Sequence, residues 1–164
     1  MARALVSFGS NIAPEAHLPA AKSLLRMRCA VLRSSAAYRT AAVGPAGQPD
    51  FLNAAVVLAT PLAPTALKET ILRPIEAELG RLRSGDPYAP RTLDLDLLLF
   101  RGGGGDEGAA SDPDLTRRVH LAVPAAEVAP RWRHPASGET LAAIARRLLA
   151  SGAPAPERVD LPGW

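Results

Sequence analysis

The stretch PRTLDLDLLLF, residues 90–100, constrains the fold of this chain more than any other. Side chains alternate along a strand, so Asp94 and Asp96 share one face while Leu93, Leu95 and Leu97 point to the other. A run this apolar reads as a central strand, where two charges need a physical reason. An isolated Asp-x-Asp more often solvates the open face of an edge strand, so the surrounding chain has to decide between the two readings.

The remaining segments supply a frame. ALVSFGSN alternates weakly and ends in a turn signal, predicting a strand over residues 2–8. Pro14 suits a first helical position, and Leu18, Ala21 and Leu25 trace a helical stripe to about residue 28. AVLRSSAAYRT and DFLNAAVVLAT predict two more strands, joined by AAVGPAGQPD, a loop with too many Gly and Pro for a strand interior. From Pro64 to about Leu82, Leu67, Ile71, Ile75 and Leu79 recur every fourth position, an amphipathic helix that Pro74 should bend or locally disrupt. SGDPYAP is a loop, and the opening strand follows it. RGGGGDEGAASD is a Gly-rich excursion, a short helix is expected near Leu115 to Ala122, and Ser137 can cap a last helix carrying Leu141, Ile144 and Leu148. The order strand, helix, strand, strand, helix, strand predicts an α+β fold with a ferredoxin-like core (βαββαβ), in one domain over residues 1–164.

Composition removes several classes. At 164 residues, with 48% hydrophobic and 21% charged residues, the chain can bury a core and is neither a disordered nor a membrane composition. No apolar run spans a bilayer and no leader pattern opens the chain, so a cytoplasmic protein without membrane partners is expected. The lone Cys29 is read as core packing. The net charge of +3 comes from 17 Arg and 2 Lys, compatible with phosphate-bearing ligands; seven aromatics without an interleaved basic run argue against nucleic acid.

Two carboxylates side by side repel, and partial burial raises a pKa unless a cation neutralises them. Magnesium is the natural candidate, since it takes oxygen ligands and commonly shares one or two carboxylates with substrate phosphates. Arg81, Arg83 and Arg91 bracket the loop before the strand, and guanidinium forks suit phosphate oxygens. For Arg81 and Arg83 the plainer alternative is a solvated helix end, where cations also meet the dipole favourably.

GRLRSGDPYAPRTLDLDLLLF, with LVSFGSN, YRTAAVGPAGQPDFLNAAV and EVAP, resembles the 6-hydroxymethyl-7,8-dihydropterin pyrophosphokinase family of folate biosynthesis over about residues 4–145. The resemblance implies an antiparallel sheet flanked by helices in three α/β/α layers. It also implies pyrophosphate transfer from ATP to the pterin hydroxymethyl group, leaving AMP, with two Mg2+ ions at Asp94 and Asp96 and catalytic roles for Arg81 and Arg91. Thr40, Val43, Phe51 and Asn53 would hold the pterin, Asn53 reading its polar edge and Phe51 stacking; Phe51 as plain core and Asn53 as a local backbone partner are the structural alternatives. Glu76, Arg81, Tyr88, Arg91, Asp112 and Arg118 would serve ATP, Tyr88 in a loop that closes over the substrates. A monomer is expected.

Departures from the family pattern fall near that chemistry. Ser84 and Pro87 stand where basic residues are common, which weakens phosphate stabilisation by the loop. Asp112 takes the place of a nucleotide-contacting His, and His120 that of a pterin-sandwiching Phe. Three readings therefore stand: a working pterin pyrophosphokinase, a paralogue with another acceptor, or a non-catalytic binder. The retained Asp94, Asp96, Arg81, Arg91 and Asn53 favour the first.

Overall fold

A computed structural model describes residues 1–102 and 110–164. The central part of the Gly-rich excursion lies outside the described residues. Six strands form one antiparallel sheet: β1 (Ala2–Ser10), β2 (Ala30–Ser34), β3 (Ala37–Thr40), β4 (Phe51–Thr60), β5 (Asp94–Arg101) and β6 (Glu157–Val159). Their order is β5-β1-β4-β3-β6, with β2 also paired to β4. Taking β2 and β3 as one interrupted strand recovers the ferredoxin-like order expected from the sequence, and an added β6 widens it.

The interruption corrects the single strand read from AVLRSSAAYRT. Ser35 breaks it: its N–H donates to Ala55 O at 2.8 Å while its Oγ accepts from Ala55 N–H at 2.9 Å, so the side chain takes over from the backbone ladder.

Helices cover both faces. On one, α1 (Pro14–Arg28) lies beside a helical segment made of α2 (Pro64–Leu67), a π-helical turn (Lys68–Leu72) and α3 (Arg73–Glu78). They bury Leu18, Leu25, Leu67, Leu72 and Ile75 against Ala4, Val6, Phe8, Val56 and Leu58. The predicted disruption at Pro74 is that wide turn: proline has no N–H to donate to the preceding turn, and the chain passes through i−5 bonding, Arg73 N–H to Lys68 O, before it. On the other face, α4 (Val119–Val128) and α5 (Leu141–Ala150) bury Ala122, Ala125, Val128, Leu141 and Ile144 against Leu5, Ala55, Val57 and Leu98. The cap of α5 is Thr140, whose Oγ1 accepts from Ala143 N–H at 3.2 Å; Ser137, expected there, instead accepts from Glu139 N–H. A short 3₁₀ turn, Pro113–Thr116, precedes α4, so the helix expected near Leu115 to Ala122 starts later and runs further.

The strand expected to be central, β5, is an edge strand. Its outer edge is nonetheless covered. Ala110 O and Asp112 N–H pair with Phe100 and Leu98 along its second half. Beside its start, Glu76 Oε1 accepts from Leu95 N–H at 2.8 Å and Arg81 donates to Leu93 O at 2.9 Å. Apolar sequence reports coverage of a strand's faces, and both faces of β5 are covered; it carries no information on ladder position. A bulge between Leu97 and Leu99 puts Leu98 and Leu99 in the α4–α5 core and returns Phe100 to the α1 side.

Candidate active site

Asp94 and Asp96 point to the face that α4 and α5 cover, at the end of the sheet that α4 leaves partly open. Pairing registers set their neighbours. One cross-strand row runs Asp94, Gly9, Asn53, Tyr38, and the next runs Asp96, Ser7, Ala55. Small residues on β1 therefore separate the carboxylates from Asn53 and leave a cleft of about 390 Å³ above the sheet. A Cβ added at Gly9 would stand 3.6 Å from Asn53 Oδ1 and 3.9 Å from Phe51, so the missing side chain leaves the floor between them open.

Asp94 is held by two guanidinium groups, Arg91 at 2.9 Å and Arg81 at 3.3 Å. Among the described residues, Asp96 has no such partner. Burial, then the charges of Asp94, Asp112 and Glu76, push its carboxyl up to about 7 from an ordinary 3.8. Asp112 is at the same mouth, its Oδ1 accepting from Asp114 N–H at 2.8 Å as the cap of the 3₁₀ turn, and so adds to the negative field while holding that turn.

Among the described residues, no three His, Cys, Asp or Glu side chains form a ready-made metal cage. The donor set is the Asp94–Asp96 pair, which suits Mg2+: a hard ion satisfied by one or two carboxylates, waters and substrate phosphates, and a cation that would relieve the unfavourable charge at Asp96.

The other half of the cleft is polar and aromatic. Asn53, buried in β4, donates from Nδ2 to Thr40 Oγ1 at 2.7 Å. That bond directs the amide oxygen and its remaining N–H elsewhere, a donor–acceptor pair suited to the edge of a planar heterocycle. Phe51 lies beside it with the Arg91 guanidinium 6.0 Å from its ring centre, and His120 and Leu121 of α4 face the same space. Burial, then the Arg118 charge, hold the His120 imidazole below its ordinary pKa, which favours the neutral ring.

Two loops form the rim. Tyr88 lies against Gly44, where φ is +114° and an added Cβ would come within 2.8 Å of the ring. Gln48 Nε2 donates to Tyr88 O, tying the loops together. Thr40, Val43, Phe51, Asn53, Tyr88, Arg91, Asp94, Asp96, Asp112, Arg118 and His120, all singled out in the sequence, line one cleft. Arg81 stands behind Asp94 and lines an adjoining hollow with Arg83 and Arg91. Glu76 is brought to the edge of β5 instead, 3% exposed and paired with Arg83 at 2.7 Å. Sequence reasoning passed over Ser7, Gly9 and Asp114, which also line the cleft. Only strand register brings the first two opposite the aspartates, and no local pattern signals it.

Paired carboxylates, arginine forks and a polar cleft on a ferredoxin-like sheet define an enzyme of phosphoryl-transfer type. The family model described as 7,8-dihydro-6-hydroxymethylpterin-pyrophosphokinase matches residues 5–131, and the chain belongs to that family. A 2-amino-4-hydroxy-6-hydroxymethyldihydropteridine pyrophosphokinase of Synechocystis sp. is 35% identical over 177 residues, covering 98% of this chain and 89% of the relative. The enzyme of that name from Methylorubrum extorquens is 37% identical over 170 residues, covering 98% and 100%. Among solved structures, an HPPK-DHPS in complex with substrates superposes with a TM-score of 0.72 at 13% identity, over 92% of this chain. The chain spans 46% of that structure, and the likeness supports the fold alone.

Proposed function

We propose that the chain transfers pyrophosphate from ATP to the hydroxymethyl group of 6-hydroxymethyl-7,8-dihydropterin, giving AMP and the pterin diphosphate for folate biosynthesis. The observation that carries this reading is the row Asp94–Gly9–Asn53, which puts a carboxylate suited to a cation and an amide suited to a heterocycle edge on one floor.

The pterin lies in the slot with its polar edge on Asn53 and its ring between Phe51 and His120. Thr40 fixes the amide of Asn53, so recognition does not depend on a freely turning side chain. The hydroxymethyl oxygen then points along the floor towards Asp94 and Asp96. It bonds to the β-phosphorus, the bond from that phosphorus to the oxygen of the α-phosphate breaks, and AMP leaves with the electron pair while the hydroxyl proton is lost. Mg2+ held by Asp94 and Asp96 would neutralise phosphate charge in this step. Arg91 and Arg81 fix Asp94 and present guanidinium groups to the phosphates; Arg118 does so from the opposite rim. Tyr88, seated on Gly44, closes the cleft and limits hydrolysis of ATP by water. Asp112 in place of a basic or neutral contact, and Ser84 and Pro87 in the loop, make this a site with fewer cations around the phosphates. No described helix is long and apolar enough to cross a membrane.

The test is to incubate the purified chain with ATP, Mg2+ and the pterin. Appearance of AMP and pterin diphosphate in equal amounts is the expected result. ATP binding without either product would sink the pterin acceptor, and no ATP binding would sink the transferase reading.

A further inference from the structure

Residues 157–164 lie beyond the segment matched by the family model and contribute nothing to the cleft lining. They are nevertheless attached to β3, one of the two strands that carry its pterin half. β6 pairs with β3 through Ala37–Val159, Tyr38–Arg158 and Arg39–Glu157. The other side of β3 pairs with β4 at only three positions, Tyr38–Asn53, Arg39–Leu52 and Thr40–Phe51. Two of these pairs contain the residues assigned to the pterin, and the Asn53–Thr40 side-chain bond spans the same two strands. Because β2 and β3 are broken apart at Ser35, β3 is a strand of four residues, short enough to depend on its outer neighbour.

The chain then passes beneath the sheet. Leu161 enters the α1-side core, and Trp164 donates from Nε1 to Ser35 O at 2.7 Å, gripping the break itself. Its ring meets Phe8 edge-on at 5.1 Å, and Lys22 Nζ of α1 lies 4.1 Å from the ring centre. Phe8 sits in β1 between Ser7 and Gly9, the two small residues of the cleft floor. The segment thus holds β3 from its edge and β1 from below.

We propose that residues 157–164 act as a strap that positions the pterin half of the cleft, with Trp164 as its principal positioning residue. This rests on the pterin reading of the site. The carboxylates assigned to the cation and ATP phosphates on β5 are separated from β3 by β1 and β4, so the strap discriminates between the two substrates. Removing its anchor loosens β3 against β4, separates Thr40 from Asn53 part of the time, and weakens pterin binding while leaving ATP binding as it was.

The experiment compares the wild-type chain with Trp164→Ala, with Trp164→Phe, which keeps the ring but not the bond to Ser35, and with a chain ending at Asp160. Pterin affinity and Mg-ATP affinity are titrated separately, and amide exchange is followed over residues 37–40. The expected result for Trp164→Ala and the shortened chain is a loss of pterin affinity of about three- to tenfold, unchanged ATP affinity and faster exchange in β3, with Trp164→Phe in between. If the alanine variant fails to fold, Trp164→Phe alone carries the test. Unchanged pterin affinity in a folded variant, or equal losses for both substrates, would overturn the strap. A wild-type chain that binds no pterin would instead bring down the functional reading, and the strap with it; that failure appears before any variant is made.

Discussion

At the scale of single residues, the site is governed by how each polar group is partnered. Asn53 has one amide proton committed to Thr40, so its replacement removes both the atoms proposed to read the pterin and the side-chain bond between β3 and β4. Asn53→Ala is expected to weaken pterin binding by about tenfold or more, from lost hydrogen bonds of roughly 1 kcal/mol each, with ATP affinity unchanged; calorimetric titration of each substrate checks it. Asp96 presents the opposite case, confined beside Asp94 and Asp112 with only part of their repulsion offset by the charge of Lys68. Asp96→Asn should raise the melting temperature of the metal-free protein, because it removes that repulsion, and should abolish turnover. Mg2+ alone should raise the melting temperature of the wild type and not of this variant; equal responses would remove Asp96 from the metal site.

At the scale of elements, the connection between α4 and β3 holds one wall of the cleft. Glu127 accepts from Ala36 N–H at 3.1 Å and from the Tyr38 hydroxyl at 2.6 Å. Burial, then the hydrogen bond to Glu127, push the Tyr38 phenol up from 10.0 to about 12. The folded chain therefore keeps a proton that the unfolded chain releases, and stability should be level below pH 10.0 and fall as pH rises towards about 12. Tyr38→Phe should cost about 1 kcal/mol at neutral pH and flatten that alkaline fall, as urea unfolding across the pH range would show. The same scale explains where sequence reading fell short. Periodicity located the helix from Pro64 and the effect of Pro74, but it gave one strand over AVLRSSAAYRT where Ser35 makes two. It also missed β6, three residues that form a strand only because β3 offers an edge.

At the scale of the molecule, stability and specificity are drawn from different places. Leu58, fully buried in β4, pairs with Ala4 and Val31 and does not line the cleft, so Leu58→Ala should destabilise by about 2–5 kcal/mol while leaving both substrate affinities in place below the unfolding transition. Chemical denaturation and substrate titration on one preparation would decide it; a matching loss of affinity would mean that core and cleft are coupled.

The sequence by itself determined the order of the main elements, the ferredoxin-like core and most of the residues that line the cleft. The elements and the Asp94–Asp96 pair are encoded locally, in periodicity, turn residues and strand alternation; most of the cleft residues followed from the family resemblance that DLD together with QPDFLNAAV carries. The tertiary structure decided what depends on register and on contacts between distant segments. It put Gly9 and Ser7 opposite the aspartates, drew Glu76 away to the edge of β5, and made that strand an edge strand with borrowed partners. Residues 157–164 were likewise brought beneath the sheet only by folding, because a strand edge and a buried Phe8 ring exist as binding surfaces for them only once the sheet has formed.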